Sequence, residues 1–343
     1  MALQHLLMQS HICCIHKRGL RQMETTIQKA RSLFKQEETL LLLFIVLITA
    51  ISPIFSPEFF TSYNASNLLR QISYPAIVSI GMLLTVLIGG IDLSVGSIMQ
   101  AVSLASIMLV QQNMSTGMIV IIVLALGMFF GLMNGLLITY GKLQPFIVTL
   151  GTKVIIDGTT LYMTKGKGIS GDASDSFLEI GGGYLGEIPY PVIIMLVLYI
   201  IGFIILNKTV FGRQVYSVGS NRIAAHNSGI HVNRVQLIVY VLSGLFAAIA
   251  GLLIASRTGA YQPMSGNSGA TGMELSAIAA VVVGGASLSG GKGSIWGAFL
   301  GALLSGLLFN LLVFLDMNPY IQQFILGLII LGAVIFSASK NNK

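Results

Sequence analysis

Seven stretches of this 343-residue chain contain no Asp, Glu, Lys or Arg: 39–57, 71–91, 93–141, 188–207, 235–256, 293–315 and 317–339. A bilayer core is crossed by ~20 predominantly apolar helical residues, and each stretch has about that length or more. Backbone polar groups in hydrocarbon must be satisfied inside the segment, and long apolar runs without alternation give helices, not a barrel. Charged residues make up only 9% of the chain, against ~25% in a soluble domain, which would have nothing to coat its surface with. The expected fold is an all-α polytopic membrane helical bundle.

The net charge of +7 does not indicate nucleic acid, because of where the charge lies. Lys17, Arg18, Arg21, Lys29, Arg31 and Lys35 precede the first apolar run, the positive-inside pattern of a cytoplasmic amino terminus. A cleavable leader is not expected, since the basic stretch is long and the next apolar run has spanning length. Met23 is an alternative start to Met1. Cys13 and Cys14 fall in the tail, where a reducing cytoplasm disfavours a disulfide. The organisation read from the sequence is a cytoplasmic tail, 1–38, a transmembrane domain, 39–338, and a short cytoplasmic tail, 339–343.

Ten membrane segments are predicted: 39–56, 72–89, 93–110, 118–139, 145–162, 189–206, 236–256, 275–288, 295–314 and 321–337. Loop charges test the parity. Residues 163–190 carry Asp172, Asp175, Glu179 and Glu187 against Lys165 and Lys167, whereas 207–234 carry Lys208, Arg213, Arg222 and Arg234 with no acid. Five spans from an inside start put the acidic loop outside, a sixth returns the basic loop inside, and four more leave Lys340 and Lys343 inside. Segment 275–288 is short and Gly89-Gly90 leaves almost no loop, so broken or re-entrant segments, with eight crossings, are the alternative count.

Small residues recur every fourth position at Gly127, Gly131 and Gly135, at Gly297, Gly301 and Ser305, and at Gly244 and Ala248. They let helix backbones approach closely, and packing within the chain is the expected use. Charges inside apolar segments are costly and therefore candidates for function. Lys153 and Asp157 are four apart on one helix face and can neutralise each other. Asp92, before a helix start, and Glu274, at the head of the eighth segment, suit capping of free N–H groups. Asp92, Asn134, Thr149 and Asp157 are polar, membrane-embedded candidates for lining a path.

The stretch 285–293, Gly-Ala-Ser-Leu-Ser-Gly-Gly-Lys-Gly, imitates a phosphate-binding loop and fails as one. Ala286 stands where the first glycine belongs, Gly293 replaces the magnesium-binding hydroxyl, and an apolar membrane segment precedes it instead of a strand. No ATP or other cofactor is expected in this chain. The same stretch parallels 89–96 (Gly-Gly-Ile-Asp-Leu-Ser-Val-Gly), which suggests an internal repeat. All five histidines lie in segments predicted to be cytoplasmic, so no membrane segment offers a Ser/His pair or a His metal cluster, and an enzyme is not expected.

In the basic loop, Asn221 is a good N-cap, 222–227 can form one or two turns, and Gly229 is a natural stop. A short capped helix in such a loop could enter a groove on another protein. The run Phe211-Gly212-Arg213, Gly219 with Asn221, Ala224-Ala225 and Ser228-Gly229-Ile230 resembles the cytoplasmic coupling loop of permeases from ribose-, xylose- and galactose-type ABC importers. The resemblance extends through 92–96 (Asp-Leu-Ser-Val-Gly), 131–137 around Asn134, 145–152 (Pro-Phe-Ile-Val-Thr-Leu-Gly-Thr), Glu274-Leu275, 277–280 and 284–293, in family order. It implies a permease of about ten spans, paired with itself or a paralogue, that moves a monosaccharide inward. The partners would be a cytoplasmic ATPase, which uses ATP and magnesium, and a periplasmic sugar-binding protein. Asn221, Ala224, Ala225, Ser228 and Gly229 would form the ATPase-docking helix, and 165–187 would face the binding protein. Family members usually carry an acid soon after the Asn, whereas this chain has Arg222-Ile223. The competing readings are an ion-coupled transporter using Asp92, Asp157 or Glu274, and a membrane scaffold without flux.

Overall fold

The computed structural model describes residues 36–55, 57–263 and 272–318, and 321–332 in part. Residues 1–35 of the amino-terminal tail, with Cys13, Cys14 and Met23, the carboxy-terminal tail, and 333–337 of the last expected span lie outside those residues, whereas 36–38, expected to belong to the tail, already form the first turn of a helix. The helices are α1 (Gln36–Phe55), α2 (Ser62–Leu87), α3 (Val95–Gln111), α4 (Thr116–Thr139), α5 (Pro145–Thr164), α6 (Asp175–Gly182), α7 (Tyr190–Lys208), α8 (Val210–Ser220), α9 (Arg222–Asn227), α10 (Val232–Thr258), α11 (Met273–Val283) and α12 (Ile295–Phe314). Described positions between Ile321 and Gly332 are also helical. A short 3-10 helix, Pro57–Phe60, and two short antiparallel pairs, Ile169–Ser170 with Ala260–Tyr261 and Tyr184–Leu185 with Ile188–Pro189, complete the described elements.

The chain is an all-α polytopic membrane protein. Six helices, α2, α4, α5, α7, α10 and α12, are long and apolar enough to cross a bilayer, and the apolar parts of α1, α3 and α11 are shorter. Each of the first nine expected segments contains a helix, with informative differences at the edges. Helix α2 starts at Ser62, ten residues before the expected span, because Arg70 does not break it. Its guanidinium is buried and stacks 4.7 Å from the Tyr184 ring centre. Helix α11 stops at Val283 rather than continuing to 288, because Gly284 and Gly285 end it.

The bundle is built around α2 and α10. Their most apolar windows are 83% and 61% buried, against 22% for α4 and α5, whose outer faces carry the hydrocarbon-facing side chains. Helix α10 packs on α2, α3 and α4. The glycine spacing makes this close packing possible: a Cβ on Gly131 would lie 2.3 Å from the Tyr240 carbonyl oxygen, and one on Gly127 2.4 Å from the Ala248 Cβ. On the other side, Gly301 faces the Ala280 carbonyl and Gly297 faces Gly284, which seats α12 against α11. The four-residue stripes therefore serve packing within one chain.

Helix α10 is about 40 Å long at the helical rise, so its ends mark opposite faces of the bundle. At one end lie α8 and α9. At the other lie α6 and both strand pairs, where Gln111 donates to the Ser170 carbonyl (2.8 Å) and Phe177 is fully buried.

The suspected repeat has a structural counterpart. After α2, Gly89 takes φ +77°, its N–H donates to the Val86 carbonyl (2.9 Å), and Gly90 donates to Thr85 (2.8 Å). After α11, Gly285 takes φ +85°, donates to Val282 (3.0 Å), and Ala286 donates to Val281 (3.1 Å). Both helices thus end in the same left-handed glycine stop, which closes the last carbonyls before the chain turns. The structural register pairs Gly89 with Gly285, one residue off the sequence parallel.

Candidate functional site

The polar residues expected along a path separate into two groups. Asp92 follows the left-handed stop after α2 and is fully buried. Its Oδ1 accepts from the Ser94 backbone N–H (3.0 Å) and the Ser94 hydroxyl (2.6 Å), and its Oδ2 accepts from the Ser243 hydroxyl on α10 (2.8 Å). The Asn134 amide on α4 donates to Ser94 Oγ (2.9 Å), and the Thr152 hydroxyl on α5 donates to Asn134 Oδ1 (2.6 Å). Every donor in this chain of bonds points toward the Asp92 carboxylate, which compensates its burial among four elements. Thr149, also fully buried, donates to the carbonyls of Pro145 (2.9 Å) and Ile91 (3.2 Å), fastening α5 to the same turn. Asp92, Asn134 and Thr149 are therefore joined around one turn, with their hydrogen bonds made inside the chain.

Asp157 belongs to the second group. It accepts a short hydrogen bond from the Ser97 hydroxyl on α3 and faces Lys153 Nζ at 3.9 Å. The i,i+4 pair expected from the sequence exists, but the closer partner of Lys153 is Glu274 on α11, at 2.6 Å. Glu274 acts as the Lys153 counter-charge rather than as the helix cap expected from its position; Gly272 is the N-cap residue of α11. Its Oε2 is buried with no hydrogen-bond partner among the described residues. One ammonium thus balances two carboxylates, eight to twelve residues into the twenty-residue α5 and so in the middle of the bundle's depth. Lys153 and Asp157 keep 20% and 16% of their side chains exposed, so this cluster reaches the open face of α5.

At the α8–α9 end, the basic loop folds as expected. The Asn221 side chain caps α9 by accepting from the Ala224 N–H (2.9 Å), Ser228 donates to the Ala224 carbonyl (2.9 Å), and Gly229 turns the chain at φ +83°. Ala225 is buried and anchors the turn, while Asn221, Ala224, Ser228 and Gly229 are exposed. A Cβ on Gly229 would meet nothing within 4 Å. Ile223, which follows Arg222 in the departure from the family pattern, is 76% exposed at the tip of α9. Arg222, the departure from the family pattern, turns back to donate to Gln236 Oε1 on α10 (2.7 Å), so its charge is engaged within the chain. The glycine-rich stretch 285–293 follows helix α11 and not a strand, in keeping with its failure as a phosphate loop.

The chain matches a family described as branched-chain amino acid transport system / permease component over residues 64–334. It is 39% identical to the ribose import permease protein RbsC of Haemophilus influenzae, over 91% of this chain and 95% of that one. It is 41% identical to the ribose import permease protein RbsC of Bacillus subtilis, over 87% and 91%. It is 32% identical to the xylose transport system permease protein XylH of Haemophilus influenzae, over 92% and 99%. No solved structure matches it.

Proposed function

Because this chain belongs to the permease family of ABC sugar importers, we propose that it conducts a pentose- or hexose-class monosaccharide into the cytoplasm. The carrying observation is similarity to named sugar import permeases over about nine-tenths of both chains. The protein is a multi-pass component of the bacterial inner membrane. It works with an ATPase subunit and a periplasmic binding protein, which consume the ATP and capture the sugar. This chain is the conduit, and ATP and magnesium are used by its partner.

In this reading the bundle crosses the membrane ten times with both termini cytoplasmic. The acidic segment around α6 at one end and the basic α8–α9 loop at the other support that orientation. Helix α9, with Asn221, Ala224, Ser228 and Gly229 exposed around the buried Ala225 anchor, docks into the ATPase. Two permease chains, identical or paralogous, enclose the path. Asp157, with Lys153, lines it, because this cluster meets the open α5 face at mid-depth. Asp92, Asn134 and Thr149 border the path from behind and hold its wall in shape. A neutral polyol passing such a wall exchanges hydroxyl hydrogen bonds without a fixed charge of its own.

The test is co-purification with the ATPase together with sugar flux. Gly229→Asp puts a carboxylate on the exposed turn and a side chain at φ +83°, and it is expected to keep the bundle folded while separating ATP hydrolysis from uptake. Normal coupling in that variant would remove the docking assignment.

A further inference from the structure

The stretch 285–293 holds no phosphate motif, yet its glycines are used. Gly285, Gly290 and Gly291 have φ of +85°, +87° and +72°. Their surroundings explain why side chains are absent. A Cβ on Gly290 would lie 2.9 Å from the Gly219 carbonyl oxygen and 3.0 Å from the Gly89 nitrogen. A Cβ on Gly219, in the last turn of α8, would lie 1.7 Å from the Leu87 carbonyl oxygen and 2.7 Å from the Gly291 nitrogen. The Gly291 N–H donates to the Leu87 carbonyl (2.9 Å), and the Tyr216 hydroxyl on α8 donates to the Gly293 carbonyl (3.0 Å). Three backbones meet here with no side chain between them: the end of α2, the end of α8, and the turn joining α11 to α12.

Building on the docking role given to α9, we propose that residues 285–293 are the seat through which the coupling loop drives the membrane helices. Tyr216 and Gly219 are its positioning residues. Only Asn221 separates α8 from α9, so a push on α9 arrives at α8 within one residue. From α8 it passes by backbone contact into two places at once. One is the α2 stop, which leads directly to the Asp92 turn. The other is the turn that begins α12, where Ser294 caps the helix through the Gly297 N–H (2.8 Å). The same turn ends α11, whose far end carries Glu274 and its contact with Lys153 on α5. Contacts between backbones carry displacement without the slack of long side chains, and rigid elements in contact are the physical carriers of coupling. The repeated left-handed stops after α2 and α11 thus have one purpose: they bring two helix ends flat against the same coupling helix.

The experiment uses the full importer, permease with ATPase and binding protein, in lipid nanodiscs and proteoliposomes. Tyr216→Phe keeps the ring and removes only the bond to Gly293. It is expected to retain ATPase assembly and nucleotide hydrolysis while sugar moved per ATP falls about threefold or more. Spin labels at Arg213→Cys and Lys292→Cys, both on exposed positions, in a chain whose Cys13 and Cys14 are replaced by Ser so that no other thiol of the permease is labelled, are expected to keep their separation through the ATP cycle. Unchanged stoichiometry in Tyr216→Phe together with a separation that changes on ATP binding would overturn the proposal; either result alone would refute the part of it that it measures. Failure of the underlying reading looks different: the unaltered chain would then neither hold the ATPase nor show ATP-dependent flux.

Discussion

Lys153 is the one cation of the mid-bundle cluster, and its removal has a calculable consequence. Its ammonium lies 2.6 Å from Glu274 and 3.9 Å from Asp157. At an effective dielectric of ~20 these contacts are worth roughly 6 and 4 kcal/mol of gross attraction. Desolvation offsets most of that, and breaking a buried pair from one side typically costs about 3–5 kcal/mol. Because Lys153 retains 20% exposure, the lower end applies, and Lys153→Met is expected to destabilise the bundle by ~3 kcal/mol. Adding Glu274→Gln removes the more buried orphan, while Asp157 keeps its bond to Ser97. The double variant should recover ~2 kcal/mol, a coupling within the range measured for residues in direct contact. The assay is unfolding in mixed micelles titrated with dodecyl sulfate, run on all four members of the cycle. Additive effects, with a coupling below ~0.5 kcal/mol, would refute the claim that this contact holds α11 to α5.

Gly131→Ala forces a methyl toward the Tyr240 carbonyl and should cost about 1–3 kcal/mol in the same assay, whereas Gly117→Ala, on an exposed turn of α4 with open space around it, should be neutral or stabilising by ~0.5 kcal/mol or more. Asn221→Ala removes the α9 cap, worth ~1 kcal/mol locally, and should weaken ATPase co-purification while leaving bundle stability unchanged. Asn134→Leu leaves both Thr152 and Ser94 without their shared partner and should destabilise by about 1–3 kcal/mol, measured by the same titration.

The sequence made the membrane class and most helices readable, because absence of charge over twenty residues has one physical explanation. It misplaced the start of α2, since a charge-free criterion stops at Arg70 and cannot see the Tyr184 ring that shelters it. The α9 cap was readable because Asn221 acts on a residue three positions away. The partners of Asp92 and Lys153 were not. Ser243 is 151 residues from Asp92, and Glu274 is 121 from Lys153, so nothing local marks either contact. The local alternative, Lys153 with Asp157, was readable from spacing and proved the longer of the two contacts. The glycines of 285–293 were visible as a motif, but their reason, three backbones in contact, exists only once α2, α8 and α11 are assembled.

As the conduit of an ATP-driven sugar importer, this chain should move sugar only when its partners are present. This is measured as uptake of labelled ribose or xylose into proteoliposomes holding the permease and its ATPase, with binding protein outside and ATP inside. The expected result is accumulation that requires both ATP and the binding protein and that a protonophore leaves intact. Uptake without ATP that collapses when the ion gradient is dissipated would contradict it.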